Sequence, residues 1–384
     1  MKERARFLSS IVLAVLFLAS AAEAVQLSVN PGESIQAAVD AAKPGDTVLI
    51  HAGIYRESLN ITRQLFLVGE GSPMLDAVAS GDGLALRADG IEVSGMDIRT
   101  ARRTGILVAS DNNTISNNSI SGCLDGVRLV DSSNTKIASN YINNNTNGIT
   151  LIGSRRNVIK NNSIKDNNIG EESDCGIYLA YSQENIIQNN EMENNGDCSI
   201  SLRSSSSNSL LGNSVIRNDW YGIALAESSD HNILRDNNAS NNKDAGMYLD
   251  GSRENAVLNN TALNNAKGIY LAYDSNDNLI GGNAVSKNGK GLYLASRSSN
   301  NTLENNTVAN NGYGIYLTFS SGWNLIFENR LANNVHNAYD LGLSNRWDDE
   351  RRGNYYSDLG EVFYIPGGSG VDRHPMKAES GSQS

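Results

Sequence analysis

The sequence is poor in positive charge, in metal-binding side chains and in long apolar runs. Its 31 Lys and Arg stand against 42 Asp and Glu, a formal net charge of −11 over 384 residues. That balance disfavours nucleic acid or an anionic membrane as partner, since both recruit a basic footprint. It would also repel a polyuronate unless a cation mediated the contact. Histidine occurs only at His51, His231, His336 and His374, and of these only His336 and His374 share a neighbourhood, near the carboxyl end. Copper asks for clustered His, Met or Cys, so neither a metal nor a cofactor is expected. One apolar run, 7–20, follows Lys2, Arg4 and Arg6 and leads into Ala22-Glu23-Ala24, the pattern of a signal peptide cut after Ala24. An uncleaved anchor would need a longer run. The leader holds three bases against two acids, so its loss takes the net charge from −11 to −12. No second run of spanning length follows, and the mature chain is expected to have no membrane span.

What the sequence has in abundance is a repeat. Gly246-Met247-Tyr248-Leu249, Gly268-Ile269-Tyr270-Leu271, Gly291-Leu292-Tyr293-Leu294 and Gly314-Ile315-Tyr316-Leu317 are spaced by 22, 23 and 23 residues. A fixed period of this length marks a solenoid, whose coils bury their apolar faces by stacking on one another. Coil starts fall at Gly83, Gly105, Gly126, Gly148, Gly176, Ser199, Gly222, Gly246, Gly268, Gly291, Gly314 and Asn337, every step being 21 to 24 residues except one of 28, which marks an insertion at 168–174. Inside a coil, asparagine returns every five residues with an apolar residue between, as in Asn278, Ile280, Asn283, Val285 and Asn288. Such punctuation leaves no helical period and reads as short strands joined by polar corners.

The expected fold is therefore all-β: a right-handed, single-stranded parallel β-helix of about 12 or more coils, 21–24 residues each, with an N-terminal capping helix. The hand follows from the right-handed crossovers of parallel strands. Ser34 can cap the helix, and Ile35, Ala38, Val39 and Ala42 lie on one face before Lys43-Pro44-Gly45 ends it. First-coil strands are expected at 47–51, 58–61 and 65–68. The chain divides into a signal peptide (1–24), a cap helix and first coil (25–82), β-helix repeats (83–340), a C-terminal cap (341–376) and a disordered tail (377–384). The corner residues Asn140, Asn162, Asn190, Asn213, Asn237, Asn260, Asn283, Asn306 and Asn329 should form a ladder whose amides bond the coils above and below. Gly268 and its equivalents are expected to turn the corner between coils.

The coil phrase Gly-Ile-Tyr-Leu followed by Asn-x-Ile-x-x-Asn resembles the NosD-like right-handed β-helix proteins, also described as having carbohydrate-binding and sugar-hydrolysis repeats and abundant among exported archaeal proteins. The segment Ser34-Ile35-Gln36-Ala37-Ala38-Val39 through Pro44-Gly45-Asp46 is similar to the opening of many pectin-lyase-like helices. Trp347, Gly353-Asn354-Tyr355-Tyr356-Ser357-Asp358 and Val371-Asp372-Arg373-His374-Pro375-Met376 resemble the family's terminal cap, the most specific of these motifs. Together they cover nearly the whole mature chain. Asp358 is followed here by Leu359-Gly360-Glu361-Val362-Phe363, which departs from the acidic, glycine-containing loop of calcium-binding appearance that members often carry. The resemblance implies an extracytoplasmic protein of the cell surface or envelope whose partner is a glycan or envelope polysaccharide. By analogy with NosD itself, it also implies a role in maturing a copper site.

Side-chain alternation puts Tyr178, Ser201, Ala224, Tyr248, Tyr270, Tyr293, Tyr316 and Tyr339 on the outer wall. Rings in line can hold sugars by stacking, or can simply stabilise the sheet as a ladder of like residues. The residue two before each coil start should be exposed as well, giving Asp174, Asp197, Trp220 and Asp244, with Asp250 on the strand of Tyr248 and Glu171 and Glu172 in the inserted loop. As catalytic candidates, Asp174 and Asp197 would stand about 5 Å apart at the backbone and Asp197 and Asp244 about twice that, within the range of glycosidase pairs. The bland alternative is solvated turn aspartates. Neither the clustered Asp, His, Arg and Lys of polygalacturonases nor the Asp-Pro-His of alginate epimerases is present. Met96, Met192 and Met247 fall on inward columns and read as core. Cys175 and Cys198 each precede a coil start, 23 residues apart, and should stack on adjacent coils as a candidate disulfide, while Cys123 has no equivalent partner. Sequons at Asn60, Asn112, Asn117, Asn144, Asn161, Asn238, Asn259, Asn300 and Asn305 follow from the Asn-Asn-Ser/Thr corner consensus and lie at turns. The leading reading is a non-catalytic carbohydrate-binding protein. A polysaccharide hydrolase, lyase or epimerase using the wall aspartates is the alternative, and copper-site maturation the third.

Overall fold

The computed structural model describes residues 24–77, 81–99, 101–168, 174–358 and 362–376. The leader, Glu171, Glu172 and the tail from 377 lie outside these residues.

Each coil carries three short strands, as in Leu279–Gly281, Ala284–Ser286 and Lys290–Leu294. Alternation turns Ile280, Val285 and Leu292 into one interior, where none is more than 1% exposed. Stacking gives three parallel sheets of 14, 14 and 13 strands around a single core, a right-handed parallel β-helix of about 14 turns. In coil order these are the first, second and third sheets, and the third has the longest strands, such as the six-residue Lys267–Ala272. Registry is kept across the 28-residue step, where Ile149 pairs with Ile177 and Leu151 with Leu179. The longer step therefore does not shift the columns of the solenoid. Met96, Met192 and Met247 are buried in the core.

Ser34 caps the helix Ile35–Ala41 by accepting the Ala37 N–H, and Ile35 and Val39 are its buried face. A strand the periodicity does not reveal, Gln26–Val29, precedes the helix and pairs in parallel with Thr47–His51. Four residues are too few for a period to register. At the other end Trp347 is fully buried, and its indole N–H donates to Asp340 Oδ2 at 2.9 Å. Asn354 N donates to the buried Asp372 at 2.7 Å. A Cβ at Gly353 would fall 1.9 Å from the Asp372 carboxylate, which is why the cap motif places glycine there.

Three asparagine ladders run along the solenoid from Asn118, Asn145 and Asn157 to its carboxyl end. The one expected at Asn140 to Asn329 begins at Asn118 and ends at Asn354. Two more join Asn157 to Asn345 and Asn145 to Asn334, and a column of serines including Ser154, Ser182 and Ser205 shares the corner of the Asn157 ladder. Asn283 shows why asparagine suits the position. Its amide donates to Asn306 Oδ1 and to the Val257 carbonyl, each at 2.9 Å. Its Oδ1 accepts from Asn260 N at 2.9 Å and Asn260 Nδ2 at 3.0 Å. Every polar atom of this buried side chain is thus paired, as burial requires.

The corner itself is turned elsewhere than expected. Gly268 does not have a left-handed φ; left-handed residues stand before the ladder asparagines, such as Asn161 (φ 54°), Asn259 and Asn305 (both φ 55°). Asparagine tolerates this region better than most side chains. Gly268 is glycine because a Cβ there would lie 2.4 Å from Val285 Cγ1 and 2.6 Å from the Gly291 carbonyl.

Asn283→Ala should destabilise the protein by about 2–4 kcal/mol in urea unfolding, since it strips a buried ladder of donors and acceptors. Hydrogen exchange should loosen first in the two flanking coils. A loss under about 0.5 kcal/mol with unchanged exchange would show that the ladder carries no stability.

Candidate functional site

The outer face of the third sheet concentrates the aromatic side chains. Register partners confirm the column Tyr178, Ser201, Ala224, Tyr248, Tyr270, Tyr293, Tyr316 and Tyr339. The next position packs tightly inside, as glycine in most of these strands and as the buried Ser199 and Asn337 in two, and a second outward column runs beside it: Cys175, Cys198, Tyr221, Ala245, Lys267, Lys290, Tyr313 and His336.

From Tyr221 onward the rings stack on one another. Centroid separations are 4.7 Å for Tyr221–Tyr248, 5.0 Å for Tyr248–Tyr270, 4.7 Å for Tyr270–Tyr293 and 5.4 Å for Tyr293–Tyr316, with interplanar angles of 12–24°. Tyr339 ends the series edge-on against Tyr316. These rings cover each other's faces, so they offer edges and hydroxyls to solvent rather than a flat platform.

The column is interrupted where Ser201 and Ala224 replace tyrosine. The interruption opens a slot of about 760 Å³ between Tyr178 and the Tyr221–Tyr248 end of the stack, roughly 14 Å long at three coil spacings. Ser201 and Ala224 lie along it where the tyrosines are missing, Asn147, Asp197, Arg203 and Asp250 supply polar groups, and Tyr273 also lines it. Trp220 stands beside it, 53% exposed and tilted against Tyr221. Of the ligand-binding candidates, Tyr178, Tyr248 and Asp250 therefore meet in one slot, Trp220 lies next to it, and Tyr270, Tyr293, Tyr316 and Tyr339 belong to the stack that continues from it.

The three catalytic candidates separate. Asp174 is 5% exposed, not on an open wall. Asp244 is held by Lys267 at 2.7 and 3.0 Å. Only Asp197 lines the slot. Asp250 has the more perturbed chemistry: burial pushes its carboxyl above the ordinary 3.8, against the Tyr248 hydroxyl that donates to it at 3.1 Å, with Glu227 adding to the rise and Arg203 opposing it. Burial and the nearby Asp244 and Asp250 push the Tyr221 phenol up to about 12.

Cys175 and Cys198 are register partners, both buried, with Sγ atoms 2.7 Å apart as free thiols on the edge of the slot. Their mutual hydrogen bond, followed by burial and the acidic neighbours Asp197 and Asp174, raises the Cys175 thiol well above its ordinary value. Cys123 is buried alone.

Tyr221, Arg203, Tyr273, Lys267 and Lys290 were not legible as site residues. Strict alternation hides the second column, and the signal that could have found it is the residue immediately before each coil-start glycine.

This geometry defines a solenoid protein: a parallel β-helix with an aromatic spine along one face and a slot in that spine. The family described as periplasmic copper-binding protein (NosD) matches residues 215–361, and that described as right handed beta helix region matches residues 104–262. The two matches overlap and together span residues 104–361, and with the observed fold they support a NosD-like parallel β-helix family for the chain. Among solved structures, the Dettilon tailspike protein (gp208) is similar at a TM-score of 0.58 and 17% identity, over 79% of this chain and 64% of the tailspike. The chain thus spans less than two thirds of that protein. DFA-IIIase from Arthrobacter chlorophenolicus A6 without its lid is similar at 0.51 and 14% identity, over 76% of this chain and 89% of the enzyme. At these identities the likeness shows the fold alone. No curated protein matches the sequence.

The donors present do not fit a copper centre. His336 stacks on Tyr313 and His374 pairs with Asp348, so the two are engaged on different partners. The buried methionines sit in the core, and among the described residues the cysteine pair belongs to no group of three metal-binding side chains. Among the described residues, no group of three or more His, Cys, Asp or Glu is placed to hold a metal. No described helix is long and apolar enough to cross a membrane.

Since the folded state raises the Asp250 pKa, this group favours folding most below pH 3.8, and that contribution is lost as pH rises through the folded pKa. Tyr248→Phe removes the donor that opposes the rise, so the Asp250 midpoint, followed by carboxyl carbon-13 NMR, should move to higher pH. A midpoint that stays or falls would show that the hydroxyl does not hold the carboxylate.

Proposed function

We propose that the protein is an extracytoplasmic, non-catalytic carbohydrate-binding β-helix and that the slot between Tyr178 and Tyr248 takes the saccharide. The observation that carries this reading is the break in the tyrosine stack. A ladder that served the sheet alone would gain by continuing through Ser201 and Ala224, where small side chains instead leave room for a ligand. A partly apolar cleft with a few convergent polar groups is the usual form of a small-ligand site. Aromatic edges, phenol hydroxyls, an amide, carboxylates and a guanidinium together match the mixed apolar and hydroxyl surface of a sugar. The leader-like amino terminus and the periplasmic description of the matching family support the location.

Filling the slot is the sharpest test. Ser201→Tyr with Ala224→Tyr extends a column that already holds tyrosine, so the melting temperature should hold. Affinity for any glycan bound by the wild type, read on an array and by calorimetry, should fall at least about tenfold. A wild type that binds no glycan, or a filled slot that binds as before, overturns the reading.

A second reading, a polysaccharide hydrolase, lyase or epimerase, draws on Asp197 and Asp250 sharing the slot, with Asp250 holding its proton more tightly than usual. Shortening, unsaturation or epimerisation of a bound glycan, abolished by Asp250→Asn, would select it over the non-catalytic one.

An extracytoplasmic setting also bears on the cysteines. Partners in register on adjacent strands, about 4.8 Å apart, fall within the Cα separations that disulfides span. We propose that Cys175 and Cys198 are oxidised by exchange with a disulfide donor: their S–S bond forms as the donor's disulfide is reduced to two thiols, which take up the two protons. Alkylation of the denatured, unreduced protein should label Cys123 alone. Labelling of all three cysteines would refute the bond.

A further inference from the structure

Beyond the slot, the same face changes character toward the carboxyl end. Lys290 sits on the outward column between Lys267 and Tyr313. Its ammonium lies 3.9 Å from the Tyr293 ring centroid and 4.8 Å from that of Tyr316. Lys267, its neighbour, is 4.8 Å from the Tyr270 ring and is neutralised by Asp244. Lys290 has no carboxylate within ion-pair distance among the described residues, although acids outnumber bases 42 to 31 in the chain. Burial, with Lys267 adding to it, lowers its pKa, as expected for an ammonium held against aromatic rings without a counter-ion. The outward positions around it, Ala272, Ala295, Tyr313, Thr318 and His336, carry no acid. Asp197 and Asp250, by contrast, lie at the slot.

We infer that Lys290, seated on the Tyr293 and Tyr316 rings, is the subsite for a carboxylate carried by the bound saccharide, so that the face prefers an acidic glycan laid along the solenoid axis. This rests on the carbohydrate reading of the slot. The overall negative charge repels a polyanion at long range, but screening at physiological salt limits that repulsion to about 8 Å. Within that distance the local charge decides, and an ammonium already partly stripped of water on an aromatic bed loses less hydration on meeting a carboxylate.

The test is an array that pairs neutral glucan, galactan and mannan oligomers with glucuronan, galacturonan and mannuronan oligomers of matched linkage, read at low and high salt. The wild type should prefer an acidic member over its neutral partner by about tenfold at low salt, with the preference shrinking as salt rises. Lys290→Met should bring that ratio near parity, and Lys290→Arg should restore it. Equal binding of neutral and acidic partners by the wild type, or a preference that survives Lys290→Met, overturns the inference and leaves the slot reading standing. Binding to no member of the array removes both.

Discussion

The side-chain hydrogen bond from one asparagine to the next is the constraint on which the solenoid depends. A coil of three short strands must reverse direction three times within 21 to 24 residues, and each reversal leaves backbone groups pointing at the interior. Ladder asparagines such as Asn260, Asn283 and Asn306 meet those groups with amide atoms and pass the remaining bonds to the next coil. Burial and pairing are therefore satisfied together, and stacking becomes the only arrangement that satisfies both. The core columns of Ile, Leu and Val supply the apolar driving force, but the ladders fix the register in which it acts.

Once registry is fixed, the outer face inherits it. A residue 21 to 28 positions away becomes a neighbour at one strand spacing, so a column of like residues is a stack. Tyr248, Tyr270, Tyr293 and Tyr316 stack face to face because the coils beneath them do. The stack occupies the ring faces that a sugar would otherwise use, and the slot opens where the column fails, at Ser201 and Ala224. The proposed functions thus rest on departures from the repeat: two small residues, two cysteines in a column that goes on with Tyr, Ala, Lys and His, and a lysine seated on the tyrosine stack without an acid.

Much of this was readable in advance and some was not, for identifiable reasons. The inward columns, the corner asparagines and the capping helix are local patterns, and each appears where alternation and capping place it. The assignment of Gly268 to a corner failed because glycine serves two needs, left-handed φ and close approach, and sequence does not distinguish them. The aspartate column failed similarly. Asp174, Asp197 and Asp244 share a position in the repeat, yet one is buried, one lines the slot and one is bound to Lys267, because the groups on neighbouring coils differ. The insertion that carries Glu171 and Glu172 lies outside the described residues.

By itself the sequence determined the class of fold, the period, the interior and the existence of an aromatic wall, because these depend on a repeat that each coil states in full. The tertiary structure alone decided where that wall is open, which acids are free to act and where positive charge stands without a partner. Those properties belong to pairs of coils rather than to single ones. A side chain's exposure and charge are set by the size and sign of the residue stacked one strand away, and that residue becomes its neighbour only when the solenoid closes.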